Sequence, residues 1–253
     1  MEGMADQLYD KAFFDEITQA SYRAAGLIVP HLIELVDPRS VVDLGCGRGA
    51  WLKAFQDAGV SDVAGFDGGE VGASDFLAGA DRFSAFDLRG RVGLDRKFDL
   101  AMSLETAEHL PPERGESFVE DLVRLAPAVW FSAAIPRQGG TGHINERPQS
   151  YWMELFGRYG YAPIDEIRKR IWTNLDAGVV YAQNGILYVS EELVDQKPSL
   201  GEWARATDRR MIDVVHPKIY EMKNSYYLPE EAGIAQVVKS LPYALKATLN
   251  RRK

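Results

Sequence analysis

Val41-Val42-Asp43-Leu44-Gly45-Cys46-Gly47-Arg48-Gly49-Ala50-Trp51-Leu52 is the stretch on which the fold assignment turns. Two β-branched residues lead into a turn rich in glycine. Gly45 and Gly47 allow positive φ and expose bare backbone, and Trp51, Leu52 and Phe55 then begin an apolar helical face. Strand, tight turn and helix in that order put backbone N–H groups at a helix N-terminus, where a polar ligand can lie. The turn by itself does not say which ligand.

The spacing of Gly45, Gly47 and Ala50 satisfies G-x-G-x-x-G/A, so a nicotinamide or flavin enzyme is one reading. Asp43, two residues before the first glycine, points elsewhere. D-x-G-x-G after a strand resembles the first motif of the class I methyltransferases that depend on S-adenosylmethionine (SAM). That resemblance implies a glycine turn, Gly45 and Gly47, under the methionine and ribose of SAM, with Asp43 near its ammonium group. Val63-Ala64-Gly65-Phe66-Asp67 is a second strand ending in an acid, where the family binds the ribose hydroxyls; a dehydrogenase would place an acid there too. Phe83-Ser84-Ala85-Phe86 leads to Asp87-Leu88, which resembles the family's adenine contact. Acids at three successive strand ends favour SAM over a dinucleotide. Without a ligand, Asp67 and Asp87 would serve as helix caps.

With 253 residues, 46% of them hydrophobic, the chain can bury one sizeable core and carry appendages. A net charge of −8 argues against a protein that grips long nucleic acid by its phosphates. A single cysteine, Cys46, excludes an internal disulfide and a cysteine-rich zinc site. The sequence has no apolar run of membrane-spanning length and no signal-like N-terminus, so a soluble, cytoplasmic protein is expected.

Strand and helix patterns alternate from Val41 to Ala134, which predicts an α/β fold. The expectation is a Rossmann-like, seven-stranded, mostly parallel sheet with helices on both faces. Residues 1–38 form a helical cap, with Phe13, Phe14, Ile17, Ala24, Ala25, Ile28 and Leu32 at helical spacing and Pro30 interrupting the second segment. Residues 39–190 form the SAM-binding domain. Within it, a fourth strand starts near Phe98, a covering helix spans 118–125 and a fifth strand starts at Ala128. A helix follows Pro148, a sixth strand lies near 164–167, and the seventh falls within 178–189 as an antiparallel edge. Residues 191–253 form a helical extension, with a helix over 203–215. Its last part combines Ile234, Val237, Val238, Leu241, Leu245 and Leu249 with Lys239, Lys246, Arg251, Arg252 and Lys253. Such an end fits either a peripheral membrane or partner contact, or docking on its own domain.

Ligands in such sheets bind beyond the carboxyl ends of the strands. After the fourth strand comes Glu105-Thr106-Ala107-Glu108-His109. If this segment turns helically, both carboxylates and the imidazole converge into a half-shell for a divalent cation. After the fifth strand, Gly139-Gly140-Thr141-Gly142-His143-Ile144-Asn145-Glu146 brings another histidine from a neighbouring strand end. Glu-x-x-Glu-His followed by a later histidine resembles the metal-dependent O-methyltransferases of small-RNA 3′ ends and those of the ubiquinone pathway. The resemblance implies Glu105, Glu108, His109 and His143 as ligands of magnesium or manganese. It covers residues 41–152. Metal-free relatives also carry an acid and a structural histidine there, which leaves His143 or His109 as general base. Glu146 would orient His143, bind substrate or face solvent.

An aliphatic hydroxyl ionises about six pH units above neutrality, so full prior ionisation would cost about 8 kcal/mol. A cation or a histidine base removes much of that cost, and adjacent hydroxyls can chelate one metal. The expected acceptor is therefore a hydroxyl of a carbohydrate or glycosylated small molecule, with Tyr151 and Trp152 as a stacking platform or as core. A metal-independent small-molecule methyltransferase is the alternative, and a non-catalytic SAM-binding scaffold is the reading from another class.

Overall fold

The computed structural model describes residues 11–68 and 72–224, with side chains described over 16–68 and 72–222. Seven strands form one sheet: β1 (Ser40–Leu44), β2 (Asp62–Asp67), β3 (Phe83–Ala85), β4 (Leu100–Leu104), β5 (Ala128–Ser132), β6 (Tyr161–Ile164) and β7 (Ile186–Ser190). Their order is β3-β2-β1-β4-β5-β7-β6. The first five run parallel, whereas β7 is antiparallel to both β5 and β6. The fold is the expected Rossmann-like α/β sheet, but β7 lies between two strands and β6 takes the edge.

Alternating residues serve opposite faces, as a pleated strand requires. Val41, Met102, Trp130 and Leu187 join one core with Ala25, Ile28 and Leu32 of α1 (Lys11–Val36) and Leu52 and Phe55 of α2 (Ala50–Asp57). Val42, Ala101, Phe131 and Tyr188 join the other with Phe118 and Leu122 of α3 (Gly115–Leu125) and Trp152 and Phe156 of α4 (Gln149–Arg158). Strands buried on both faces explain why β4 and β5 read as unbroken apolar runs.

Several local expectations are corrected. Pro30 does not divide the N-terminal segment; α1 is one helix of 26 residues with Pro30 inside it. Both Pro30 and Gly26, four residues earlier, are exposed, so the lost hydrogen bond falls on the solvent side. The sixth strand ends at Ile164, and residues expected to extend it form α5 (Glu166–Ile171). Residues 178–189 divide between α6 (Val179–Asn184) and β7. In place of one helix over 203–215, α7 (Glu191–Gln196) and α8 (Pro198–Ala206) are followed by a 3-10 turn, Arg209–Met211.

The chain packs as two compact units, Met1–Val214 and Val215–Lys253. In the second, α9 (Pro217–Asn224) opens with His216 Nδ1 accepting from the Lys218 amide at 3.0 Å. The basic amphipathic stretch expected near the C-terminus and the side chains of Phe13 and Phe14 lie outside the described residues. Among the described residues, no helix is long and apolar enough to cross a membrane.

Candidate active site

The β1–α2 turn is built around close approach. Gly45 sits at φ +88°, and a Cβ there would meet Thr106 Oγ1 at 2.2 Å. The glycine therefore lets the turn after β1 lie against the turn after β4. Asp67, at the end of β2, accepts from the Gly47 amide at 2.6 Å and from Gly68 at 2.7 Å. Asp43 is 2% exposed, and its Oδ1 has no hydrogen-bond partner among the described residues. Burial first, and facing Asp67 second, push its carboxyl up to about 7. A buried carboxylate oxygen without a donor is costly, and a cationic ligand would relieve it.

Two adjoining lobes open over this turn. The larger, about 940 Å³, is lined by Asp67, Ala85, Phe86, Asp87, Leu88 and His109, among others. The smaller, about 300 Å³, is lined by Ser21, Asp43, Cys46, Arg48, Trp51 and Tyr181, among others. Both lobes share Gly45, Gly47, Leu104 and Glu105, which mark the waist between them. Each SAM-contact residue expected from the sequence therefore borders this cleft. Asp87 does so while engaged: Arg89 grips it with two nitrogens at 2.7–3.0 Å and holds its carboxyl down to about 2. The Leu88 carbonyl accepts from Arg114 Nε at 3.1 Å.

The acid and histidine cluster forms at the neighbouring strand ends. The loop after β5 is stitched to the turn after β4, because Ile144 and Asn145 donate to the Glu108 carbonyl at 2.9 and 3.0 Å. Glu108, His109 and His143 then offer ligand atoms all within 4.8 Å of one another. The two imidazole rings meet edge to face with centroids 4.8 Å apart. His143 Nδ1 lies 3.1 Å from Glu146, whose carboxylate also accepts from the Arg137 and Gly139 amides at 2.7 and 2.6 Å. Burial would raise Glu146, but the hydrogen bonds from His143, Gly139 and Arg137 hold it below the usual range. An ionised Glu146 fixes the proton on Nδ1 and leaves Nε2, set against Gly140, as the nitrogen for a ligand or a proton.

Glu108 is fully buried, and neither carboxylate oxygen has a hydrogen-bond partner among the described residues. Burial, reinforced by Glu105, holds its carboxyl well above the usual range. His109 is moved the other way, downward, by burial and by His143, against a hydrogen bond with the Gly142 backbone. Two imidazoles beside a buried carboxyl whose oxygens lack hydrogen-bond partners among the described residues fit a divalent cation on their donor chemistry.

Glu105 is not drawn into this trio. It adopts φ +50°, outside the helical turn that convergence required. Its carboxylate instead accepts from Asn184 Nδ2 at 2.9 and 3.2 Å and from Gln138 Nε2 at 3.1 Å. Burial raises it against these bonds. Asn184 also donates to Gln138 Oε1 at 3.0 Å and accepts from Gln149 at 3.3 Å. Sequence reasoning missed this set of amides, whose only local sign is polar Gln183-Asn184 set between apolar neighbours. Trp152 is fully buried against Phe131, 5.0 Å between centroids, so it is core and not a stacking platform.

A family profile described as a methyltransferase domain matches residues 17–116. A probable chloroplastic tocopherol O-methyltransferase of Oryza sativa subsp. japonica is 34% identical over 97 residues. That stretch covers 35% of this chain and 26% of the relative, so the chain spans about a quarter of the length of the curated protein it matches. The SAM-bound magnesium protoporphyrin IX methyltransferase of Synechocystis PCC 6803 is 16% identical. It matches with a TM-score of 0.49 over 72% of this chain and 86% of its own. The small RNA methyltransferase HEN1 is 15% identical, with a TM-score of 0.48 over 65% of this chain and 25% of its own.

Proposed function

We propose that the chain is a SAM-dependent O-methyltransferase acting on a hydroxyl of a carbohydrate or glycosylated small molecule, with assistance from a divalent metal. The methyltransferase-domain match over residues 17–116 supports the donor. So does the strand order, in which an antiparallel β7 replaces the all-parallel order of a dinucleotide fold. Asp43 has the unpaired, buried oxygen that a donor ammonium group would satisfy, and Asp67 stands at the ribose position beside Gly47. SAM would supply an electrophilic methyl on its sulfonium sulfur.

The observation that carries the metal reading is Glu108, a buried carboxylate with both oxygens unpaired beside two imidazoles. Glu108, His109 and His143 would hold the cation, which would supply Lewis acidity toward the acceptor hydroxyl. Two nitrogens and one oxygen favour manganese over magnesium. Glu146 orients His143, and the loop amides of Arg137 and Gly139 orient Glu146 in turn.

The bond between Glu146 and His143 equally supports a second reading, in which His143 Nε2 takes the hydroxyl proton as methyl transfer proceeds. The test is turnover of sugars, glycosides and catechols with labelled SAM, in EDTA and with manganese restored. The expected result is activity lost in EDTA, regained with manganese, and absent in both Glu108→Gln and His143→Ala. Full activity in EDTA with only His143→Ala inactive would select the base; SAM binding without any turnover would select the scaffold.

A further inference from the structure

The reaction proposed above does not account for Glu105, a carboxylate held with unusual care. Its backbone is left-handed without being glycine, a conformation that persists only where the surroundings enforce it. Its side chain is fixed by amides from two distant elements, Asn184 at the end of α6 and Gln138 in the loop after β5. Gln149, at the start of α4, buttresses Asn184 and donates to the Ala133 carbonyl at 3.0 Å. All of these donors are neutral, so the carboxylate keeps a net negative charge when ionised. It borders both lobes of the cleft, at the waist.

The lobes differ in size and chemistry. The larger, with the acid at the end of β2, suits an adenosine; the smaller, with buried Asp43, suits an amino acid. On the SAM reading, the atom joining those two halves is the sulfonium sulfur, so it falls at the waist beside Glu105. We propose that Glu105 is the fixed negative charge facing that sulfonium, and that Asn184 and Gln138 are positioning residues holding it there, so that the cleft favours the charged donor over its neutral demethylated product. The donor carries an ammonium and a sulfonium, met by Asp43 and Glu105, whereas the product retains only the ammonium. Methyl transfer removes the positive charge at sulfur, so the attraction at the waist ends when the product forms, and product release is eased.

This inference rests on the SAM reading, and calorimetry separates the two. S-adenosylmethionine and S-adenosylhomocysteine are titrated into the wild type, Glu105→Gln, Asn184→Leu and Gln138→Leu, in EDTA and again with manganese. Glu105→Gln should weaken the charged donor by about tenfold or more, the scale of one charge-assisted contact, and leave the neutral product within about threefold. Asn184→Leu and Gln138→Leu should move the affinity ratio the same way by a smaller factor. A general loss of packing would weaken both ligands together. Equal losses, or an unchanged ratio in Glu105→Gln, overturn the proposal. So does an unchanged ratio accompanied by lost manganese binding, which would return Glu105 to the metal site. If the wild type binds neither ligand, the SAM reading itself fails, and this inference with it.

Discussion

Glu108 couples the site to the stability of the whole chain. Its carboxyl is held well above the usual 4.5 by burial and then by Glu105, so the folded chain keeps a proton that the unfolded chain releases. Stability of the metal-free protein should therefore fall as pH rises above that value, by up to about 1.4 kcal/mol per pH unit for one proton. Asp43 adds a slope of the same sign that ends near 7. Urea midpoints taken from about pH 5 to 8 should show this decline, and Glu108→Gln should make it shallower, leaving the shares of Asp43 and Glu105, both raised by burial. Saturating manganese should flatten the wild-type profile and leave Glu108→Gln unmoved. A second residue-scale test concerns Gly140, where a Cβ would meet His143 Nε2 at 2.2 Å. Gly140→Ala should displace the ring and cut turnover by about a hundredfold, the scale of a misplaced reacting group. Its melting temperature should stay close to wild type.

At the scale of elements, α1 carries a fault that can be repaired. Pro30 removes a hydrogen bond to the Gly26 carbonyl inside a helix that packs its opposite side with Ala25, Ile28 and Leu32. Pro30→Ala should restore it and stabilise the protein by about 1–3 kcal/mol in denaturant titration. The continuity of α1 was not legible from proline alone, because tertiary packing on the apolar face outweighs a break on the wet one. The parallel half was legible, since β1, β4 and β5 are short, mostly apolar runs and β2 and β3 lead to the acids Asp67 and Asp87. The segment after β6 misled because Pro163 reads as a break ahead of a strand, whereas it lies inside β6, at the sheet edge where a proline is tolerated. Asp165 ends the strand there, binding Arg168 at 2.6 and 2.7 Å, and Ile167 and Ile171 then face the core four residues apart. The position of β7 was out of reach, because insertion between β5 and β6 depends on which distant strands meet. Three of the four expected metal ligands do gather, since strand neighbours bring their loops together. Glu105 departs because its partner Asn184 is 79 residues away, beyond any local spacing.

Over the whole molecule, the single cysteine reports on folding. Cys46 is 7% exposed, and burial, with Asp43 and Asp67 close by, raises its thiol far above the usual range. Iodoacetamide should therefore label the native chain orders of magnitude more slowly than the unfolded one, with a denaturant dependence that follows global unfolding. Labelling as fast in native buffer as in urea would mean that the glycine turn opens independently. The placing of β7 has a consequence of another kind. β5 is Ala-Val-Trp-Phe-Ser, buried along its whole length, and the strand that seals its outer side comes 54 positions after its last residue, since Ser132 precedes Ile186. A chain cut short between β5 and β7 would present that ladder as an unsatisfied template for copies of itself. Truncation there should yield insoluble material even though the glycine turn and all five parallel strands are present, so the later third of the fold acts as the seal against self-association.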